Sequence, residues 1–363
     1  MIRIRCADAA DSFDLCRLVR EVPLPGGISL AYARDPDFFA ALPAEGRLNQ
    51  VVVAVDNEGI STMAMRSIRP VFVNGTATDL GYLHGLRSRQ GRSRFGRGFL
   101  FVRSLHEQDR LVPAYLMTVV AGNRATRTMF EKKRSVFPRF EPFGTLVTHA
   151  LLVAQQNTRR GPAPEAVTTG STDLFPEMLR FLNRRFALKQ FAPVLDEAYF
   201  STMSALGLRP DSFLVKMDGN RIAGVLALWD QSAFKQCIIS GYHGRFGFLR
   251  PFVNAYLRLN GFHPLPADGK QVGIVYGCFV AIEEDDPSVL DILLDEALRR
   301  LSGTGAQFLI VGLHERDPLR KALRNRHCIR YRSTVYLGAW EDGATFCRNV
   351  SRTQIPYLEA CVL

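Results

Sequence analysis

The sequence predicts an α/β protein of two tandem folds, each a mixed, mostly antiparallel sheet flanked by helices. Three observations predict it. The order strand, helix, hairpin, strand, loop, helix, strand, helix runs through residues 1–154. Between one strand and one helix lies a loop with five arginines from Arg87 to Arg97 and glycines at Gly91, Gly96 and Gly98. After a polar stretch, the same order of elements begins again. The 363 residues are too many for one typical domain and suit two.

Ile2–Arg5 reads as a strand, and Leu15, Leu18, Val19 and Val22 mark one face of a helix. Pro23-Leu24-Pro25-Gly26-Gly27 ends that helix. Val51–Val55 and Ile60–Met65 flank Asp56-Asn57-Glu58-Gly59, a hairpin turn. Leu80–Leu86 is an apolar strand, and beyond Gly98 the residues Phe101, Val102 and Leu105 fall at helical spacing. Strand, Gly/Arg loop and helix is a layout in which loop N–H groups and a helix N-terminus cradle a phosphate. An exposed basic turn is the plainer reading of the same residues.

Leu86-Arg87-Ser88, followed by Ser93, Gly96 and Gly98, resembles the acetyl-CoA pyrophosphate loop of the GNAT acetyltransferases, (Arg/Gln)-x-x-Gly-x-(Gly/Ala). Ser93 stands where the family has Arg or Gln, with Arg92 and Arg94 beside it. Leu116–Lys132 resembles the family's next strand and helix: Asn123 falls at the helix start, a good N-cap position, and Arg127, Phe130, Glu131 and Lys132 follow in family order. Phe130 replaces the tyrosine that often serves as general acid. The resemblance implies two tandem GNAT folds and acetyl-CoA, or another acyl-CoA, as co-substrate without a metal. It implies a CoA site of Leu86, Arg87, Ser88, Ser93, Arg94, Phe95, Gly96, Arg97, Gly98, Phe99, Asn123, Arg127 and Phe130. By the same resemblance, Pro23–Phe39 shapes the acceptor site, and main-chain N–H groups near Gly85–Leu86 polarise the thioester carbonyl.

Gln155–Glu165 is polar, with Gly and two Pro, and reads as part of a linker spanning residues 155–166. The second copy, residues 167–345, opens with a helical face of Phe175, Met178, Leu179, Leu182 and Phe186. Phe213–Met217 and Ile222–Leu228 flank a second hairpin, and Gly273–Val280 is an apolar strand. Asp286-Pro287 caps a helix with the face Leu290, Leu293, Leu294, Ala297, Leu298 and Leu301. A strand Phe308–Leu313, a helix capped by Asp317-Pro318 and a late strand Ser333–Leu337 complete it, before a tail over 346–363. Where the first copy has its glycine loop, the second has Glu283-Glu284-Asp285-Asp286. Such a run repels a pyrophosphate, so the second copy is expected to bind no CoA; the acids also suit the positive end of the following helix.

Net charge is +11, which favours an anionic partner; the phosphates of CoA answer to that, and a nucleic acid remains an alternative. No apolar run reaches the roughly 18–20 residues of a membrane span. The N-terminal stretch MIRIRCADAADSFD has no apolar core of a secretory signal. Seven scattered cysteines without a C-x-x-C point to neither a disulfide framework nor a zinc site, and reduced thiols fit a cytoplasmic protein. Cys278, in a buried strand, reads as a small apolar residue.

Amide formation needs a polarised carbonyl, a route for the amine's proton and a way for the thiolate to leave. Tyr82 and His84 share one face of their strand, and His84 is nearer the loop, which makes it the candidate base; packing is the competing role for both. Asn123 caps its helix and can also hold the pantetheine arm or a water. Candidate acids are Tyr115, Tyr242, His243 and Tyr276, or none, since a thiol pKa is only about 8.5. An N-acyltransferase acting on a small-molecule or peptide amine is the first reading. A Fem-like aminoacyl transferase using charged tRNA and a non-catalytic CoA-binding scaffold are the alternatives.

Overall fold

The computed structural model describes residues 2–24, 26–89, 95–131, 136–156 and 167–362. The first half runs β1 (Arg3–Cys6), α1 (Ser12–Glu21), β2 (Ile28–Ala33), α2 (Leu42–Glu45), β3 (Leu48–Asp56), β4 (Gly59–Val73), β5 (Thr76–Ser88), α3 (Phe95–Asp109), β6 (Tyr115–Val120), α4 (Arg124–Glu131) and β7 (Arg139–Leu152). The second runs β8 (Val167–Thr169), α5 (Phe175–Phe186), α6 (Glu197–Ala205), β9 (Phe213–Asp218), β10 (Arg221–Trp229), β11 (Gln236–Tyr242), α7 (Arg245–Leu259), β12 (Gln271–Val272), β13 (Ile274–Ile282), α8 (Pro287–Leu301), β14 (Phe308–His314), β15 (Cys328–Ala339) and α9 (Ala344–Asn349). Among the described residues, no helix is long and apolar enough to cross a membrane.

Local cues set the elements that were legible. The β3–β4 hairpin closes Asp56 on Gly59, with Gly59 at φ +99° and the Glu58 N–H donating to Asp56 Oδ1 at 3.0 Å. Helix α1 buries Leu15, Leu18 and Val19 against Phe38, Val53 and Met65. Helix α8 starts where Asp286 Oδ1 accepts from the Ser288 N–H at 2.8 Å, with Pro287 in its first turn. The helix expected after Asp317-Pro318 is a 3-10 turn, Pro318–Leu323, capped by Asp317 Oδ1 on the Leu319 N–H at 3.0 Å.

The twelve-stranded main sheet has the order β1-β3-β4-β5-β6-β15-β7-β14-β13-β10-β9-β8. Strand β15 sits between β6 and β7, so the two halves join in one continuous sheet. The late strand expected over Ser333–Leu337 is thus longer, and it is an interior strand of the first half's sheet. Strand β7, which was not among the expected elements, pairs on its other side with β14. Pro23–Phe39, expected as an acceptor loop, contains β2, which pairs with β11 in a separate three-stranded sheet. The stretch over 346–363 is not a loose tail: Val350, Tyr357, Leu358, Cys361 and Val362 are buried. Of the expected linker, residues 157–166 lie outside the described residues.

Candidate active site

Strands β5 and β6 run parallel and pair only at Gly81↔Tyr115 and Tyr82↔Leu116. Beyond Tyr82 they part around a cavity of about 230 Å³, lined on one side by Leu83–Arg87 and on the other by Met117–Val120. A bulge in β5 accompanies the parting. Met65 faces His84 and Met63 faces Arg87, so β5 carries one residue more than β4 over that interval. Gly85 takes up the bulge at φ +62°, and a Cβ there would lie 2.6 Å from Met65 Sδ. Only glycine meets both conditions without strain.

Asn123 lines the cavity and caps α4, its Oδ1 accepting from the Thr126 N–H at 3.2 Å. Leu86 and Arg87 line it too; burial lowers the Arg87 pKa to about 10, and its Nη1 donates to its own strand's Leu86 carbonyl at 2.9 Å. Phe99 and Phe130 form a wall, their rings edge-to-face at 5.5 Å and both packed on Phe137, so Phe130 is a core aromatic. Among the described residues, a Cβ at Gly98 would meet nothing within 4 Å. Ser88 and Arg127, expected to touch CoA, are outside the cavity lining: Ser88 Oγ bonds Thr62 Oγ1 at 3.0 Å, and Arg127 reaches Glu131 at 3.4 Å. Arg97 is exposed on α3. Ser93 and Arg94 lie outside the described residues, and Phe95 and Gly96 are described only as the first backbone turn of α3.

His84 and Tyr82 also line the cavity, their rings stacked at 4.9 Å. The proton on His84 follows from its neighbours. Asn49 Nδ2 donates to the carbonyls of Leu42 and Gly46, at 2.9 and 2.7 Å, so its Oδ1 is the acceptor for Ser67 Oγ at 2.7 Å. Ser67 has then used its one proton, and it must accept from His84 Nε2 at 2.8 Å. This assignment leaves Nδ1 with a lone pair. Burial lowers the His84 pKa to about 3; Arg34, Arg69 and Lys235 push the same way, and Glu45 opposes them. The ring is neutral at physiological pH. Tyr82 hydrogen-bonds Thr118 Oγ1 at 2.7 Å, and burial raises its pKa.

Three tyrosines complete the lining: Tyr32 from β2, Tyr276 from β13 and Tyr331 from β15. Burial raises the pKa of each, so all are phenols at physiological pH. Of the expected acids, only Tyr276 is here. Tyr115 bonds Arg66 Nε at 3.0 Å and His106 at 3.1 Å within the core. Tyr242 donates to the Pro266 carbonyl at 2.7 Å, and His243 bonds Ser29 at 2.9 Å. Tyr32 and Tyr331 are not expected from the sequence, because β2 lies inside the expected acceptor loop and β15 begins before the strand expected over Ser333–Leu337. Lys235 also lines the cavity and donates to the Cys361 carbonyl at 3.2 Å.

The second half repeats the parting of parallel strands but fills the gap. Strands β13 and β14 pair from Ile274↔Phe308 to Gly277↔Val311 and no further. Phe279, at φ +52°, lies in a bulge against β10. The C-terminal segment enters here. The Phe279 N–H donates to Glu359 Oε1 at 2.9 Å, the Val280 N–H to Tyr357 Oη at 2.9 Å, and Tyr357 O–H to Glu359 Oε1 at 2.6 Å. On the β14 side, a Cβ at Gly312 would lie 2.9 Å from Ala360 Cβ. The acidic run is engaged in structural pairs: Glu283 with Arg184 and Arg185, Asp285 with Lys189, and Asp286 as the α8 cap.

No family model and no curated protein matches the sequence. Solved structures match its shape. Saccharomyces cerevisiae N-myristoyltransferase with bound myristoyl-CoA aligns over 93% of this chain and 82% of its own, with a TM-score of 0.62 and 10% identity. A GCN5-related N-acetyltransferase from Sphaerobacter thermophilus aligns over 93% of this chain and 96% of its own, with a TM-score of 0.56 and 16% identity. These likenesses are of shape, and the chain has the GNAT fold.

Proposed function

We propose that the protein transfers an acyl group from acyl-CoA to an amine, with CoA held in the first half. The observation that carries this reading is the slot between β5 and β6, opened at the Gly85 bulge and lined by a neutral histidine whose Nδ1 keeps its lone pair. The fold relative from yeast was solved with an acyl-CoA bound. The amine nitrogen attacks the thioester carbonyl carbon; the C–N bond forms, the C–S bond breaks, and the nitrogen's proton passes to His84 Nδ1. A base with a pKa of about 3 cannot deprotonate a free ammonium. His84 therefore acts on the nitrogen as bonding to carbon makes its proton acidic, and the acceptor reacts as the neutral amine. The departing sulfur takes its proton from water or from a phenol, with Tyr276, Tyr331 and Tyr32 in the lining.

Acetyl-CoA is the donor proposed first, with Ser93, Arg94 and Gly96 assigned to its pyrophosphate by the loop resemblance. The second half binds no CoA in this reading, because its own C-terminal segment fills the matching gap. Calorimetric titration of acetyl-CoA and CoA tests it. Micromolar binding at one site per chain is expected, weakened at least about tenfold by Gly98→Val with the melting temperature unchanged. Two sites would refute the plugged second half, and no binding of acetyl-CoA or longer acyl-CoAs would refute the function.

A further inference from the structure

A second, larger cavity of about 770 Å³ adjoins the slot at Tyr82, which lines both. Its walls come from β4, α2, α6 and the C-terminal segment, with Phe39, Leu42, Phe191, Met203, Leu358 and Val362 giving an apolar lining. Arg69 projects from β4 into this wall, its guanidinium carbon 4.4 Å from the Tyr82 ring centroid. Among the described residues, its Nε and Nη2 are shielded from solvent and have no hydrogen-bond partner. The neighbouring charges are already engaged. Glu45 pairs with Arg34, Arg47 with Asp79, Asp196 caps α6 at 2.6 Å on the Tyr199 N–H, and Glu359 accepts from Phe279 and Tyr357.

Arg69 is electrostatically coupled to Glu359, whose Oε1 is already taken; guanidinium nitrogens that are shielded and bonded by no described residue are still costly, and a planar carboxylate answers their fork of donors. We propose that this cavity takes the acceptor, an amine that also carries a carboxylate and an apolar body, as an amino acid does. Arg69 holds the carboxylate, and the amine reaches past Tyr82 toward His84. This rests on the acyltransferase reading for its role but not for its test. The probes are L-phenylalanine, L-phenylalaninamide and 2-phenylethylamine, titrated calorimetrically into the full chain with and without CoA. Phenylalanine is expected to bind at least about tenfold more tightly than the other two. Arg69→Gln should erase that preference and leave CoA binding intact, and Arg69→Lys should retain part of it. Equal affinities in the native protein, a preference that survives Arg69→Gln, or no binding at millimolar concentrations would each overturn the proposal. Loss of CoA binding alone would count against the acyltransferase reading and leave the carboxylate site standing.

A different observation carries a second inference. Of the thirteen large apolar side chains exposed among the described residues, seven lie on α7: Phe246, Phe248, Leu249, Phe252, Val253, Tyr256 and Leu259. Leu257 alone on that helix is buried. The helix contains three arginines and no acid, and Arg245 and Arg258 are exposed. Self-association across a two-fold axis would bring arginine-bearing faces together with no carboxylate on α7 to answer them. We infer that α7 docks on an anionic bilayer surface, with its aromatic rings in the interface and its guanidiniums at the phosphates. Co-sedimentation with phosphatidylcholine vesicles and with vesicles containing phosphatidylglycerol tests it. Binding is expected only to the anionic vesicles, weaker in high salt, and reduced at least about tenfold by Phe248→Ser with Phe252→Ser. No vesicle binding, or a concentration-dependent dimer abolished by the same changes, would overturn it.

Discussion

Replacing His84 by alanine is expected to lower kcat by about 10²- to 10⁴-fold, the usual contribution of a positioned base, while CoA affinity stays unchanged. The reason is the chain of donors behind the ring. Asn49 orients Ser67, Ser67 accepts from Nε2, and Nδ1 is left with the lone pair. Ser67→Ala should cost less, because it frees the tautomer without removing the base. The pH profile separates a base from a packing residue. With a folded pKa of about 3, His84 stays neutral across the working range, so kcat/KM should rise with pH along the titration of the acceptor amine. A break near pH 6.5 that vanishes in His84→Ala would contradict this assignment, as would full activity in that variant. The same depressed pKa ties the ring to stability. Its contribution is present above the unfolded value of about 6.5 and is lost as pH falls toward 3.

Deleting residues 357–363 is expected to leave the protein unfolded or insoluble. Tyr357, Leu358, Cys361 and Val362 are buried, and their removal forfeits on the order of 5 kcal/mol or more, comparable to the whole stability of a domain. It also strands the N–H groups of Phe279 and Val280 in the interior. Soluble expression and urea unfolding measure it, and a soluble truncated chain with native stability would refute the plug. Glu359 gives the milder test. Burial pushes its pKa up to about 7. A raised folded pKa means stabilisation that is complete below the unfolded value of about 4.5 and is lost as pH rises through 7. Ionisation of the buried carboxyl costs on the order of 3 kcal/mol at most. Glu359→Gln, which keeps an acceptor for both donors, should therefore flatten the loss of stability between about pH 4.5 and 7.

Short-range chemistry made part of this molecule legible. The Asp56–Gly59 turn, the Asn123 and Asp286 caps and the apolar stripe of α8 involve residues within a few positions of one another, and each appears as read. Strand alternation put Tyr82 and His84 on one face, and they stack there. The glycine bulge went unread because Gly85 is marked only by what it faces, the Met65 side chain across the ladder. The Ser67–Asn49 relay joins three separate strands and has no spacing to betray it. The acids after Val280 suggested repulsion of a phosphate. In the structure Glu283 and Asp285 are matched by Arg184, Arg185 and Lys189 from α5 and the turn that follows it, and Asp286 caps α8.

The sequence by itself determined the α/β character, the first hairpin, the caps at Asn123 and Asp286, the apolar stripe of α8, and the strand that carries His84. Tertiary structure alone decided that β15 enters the sheet between β6 and β7, that β2 crosses to the second half, and that the C-terminal segment fills one slot while the other stays open. The physical reason is range. A cap or turn is fixed by hydrogen bonds between near neighbours, whereas a strand's partner is chosen by the complementarity of whole faces far apart in the chain. An open slot and a guanidinium without a hydrogen-bond partner among the described residues are properties of what surrounds a residue, so Arg69 and the Gly85 bulge take on meaning only once distant segments have packed around them.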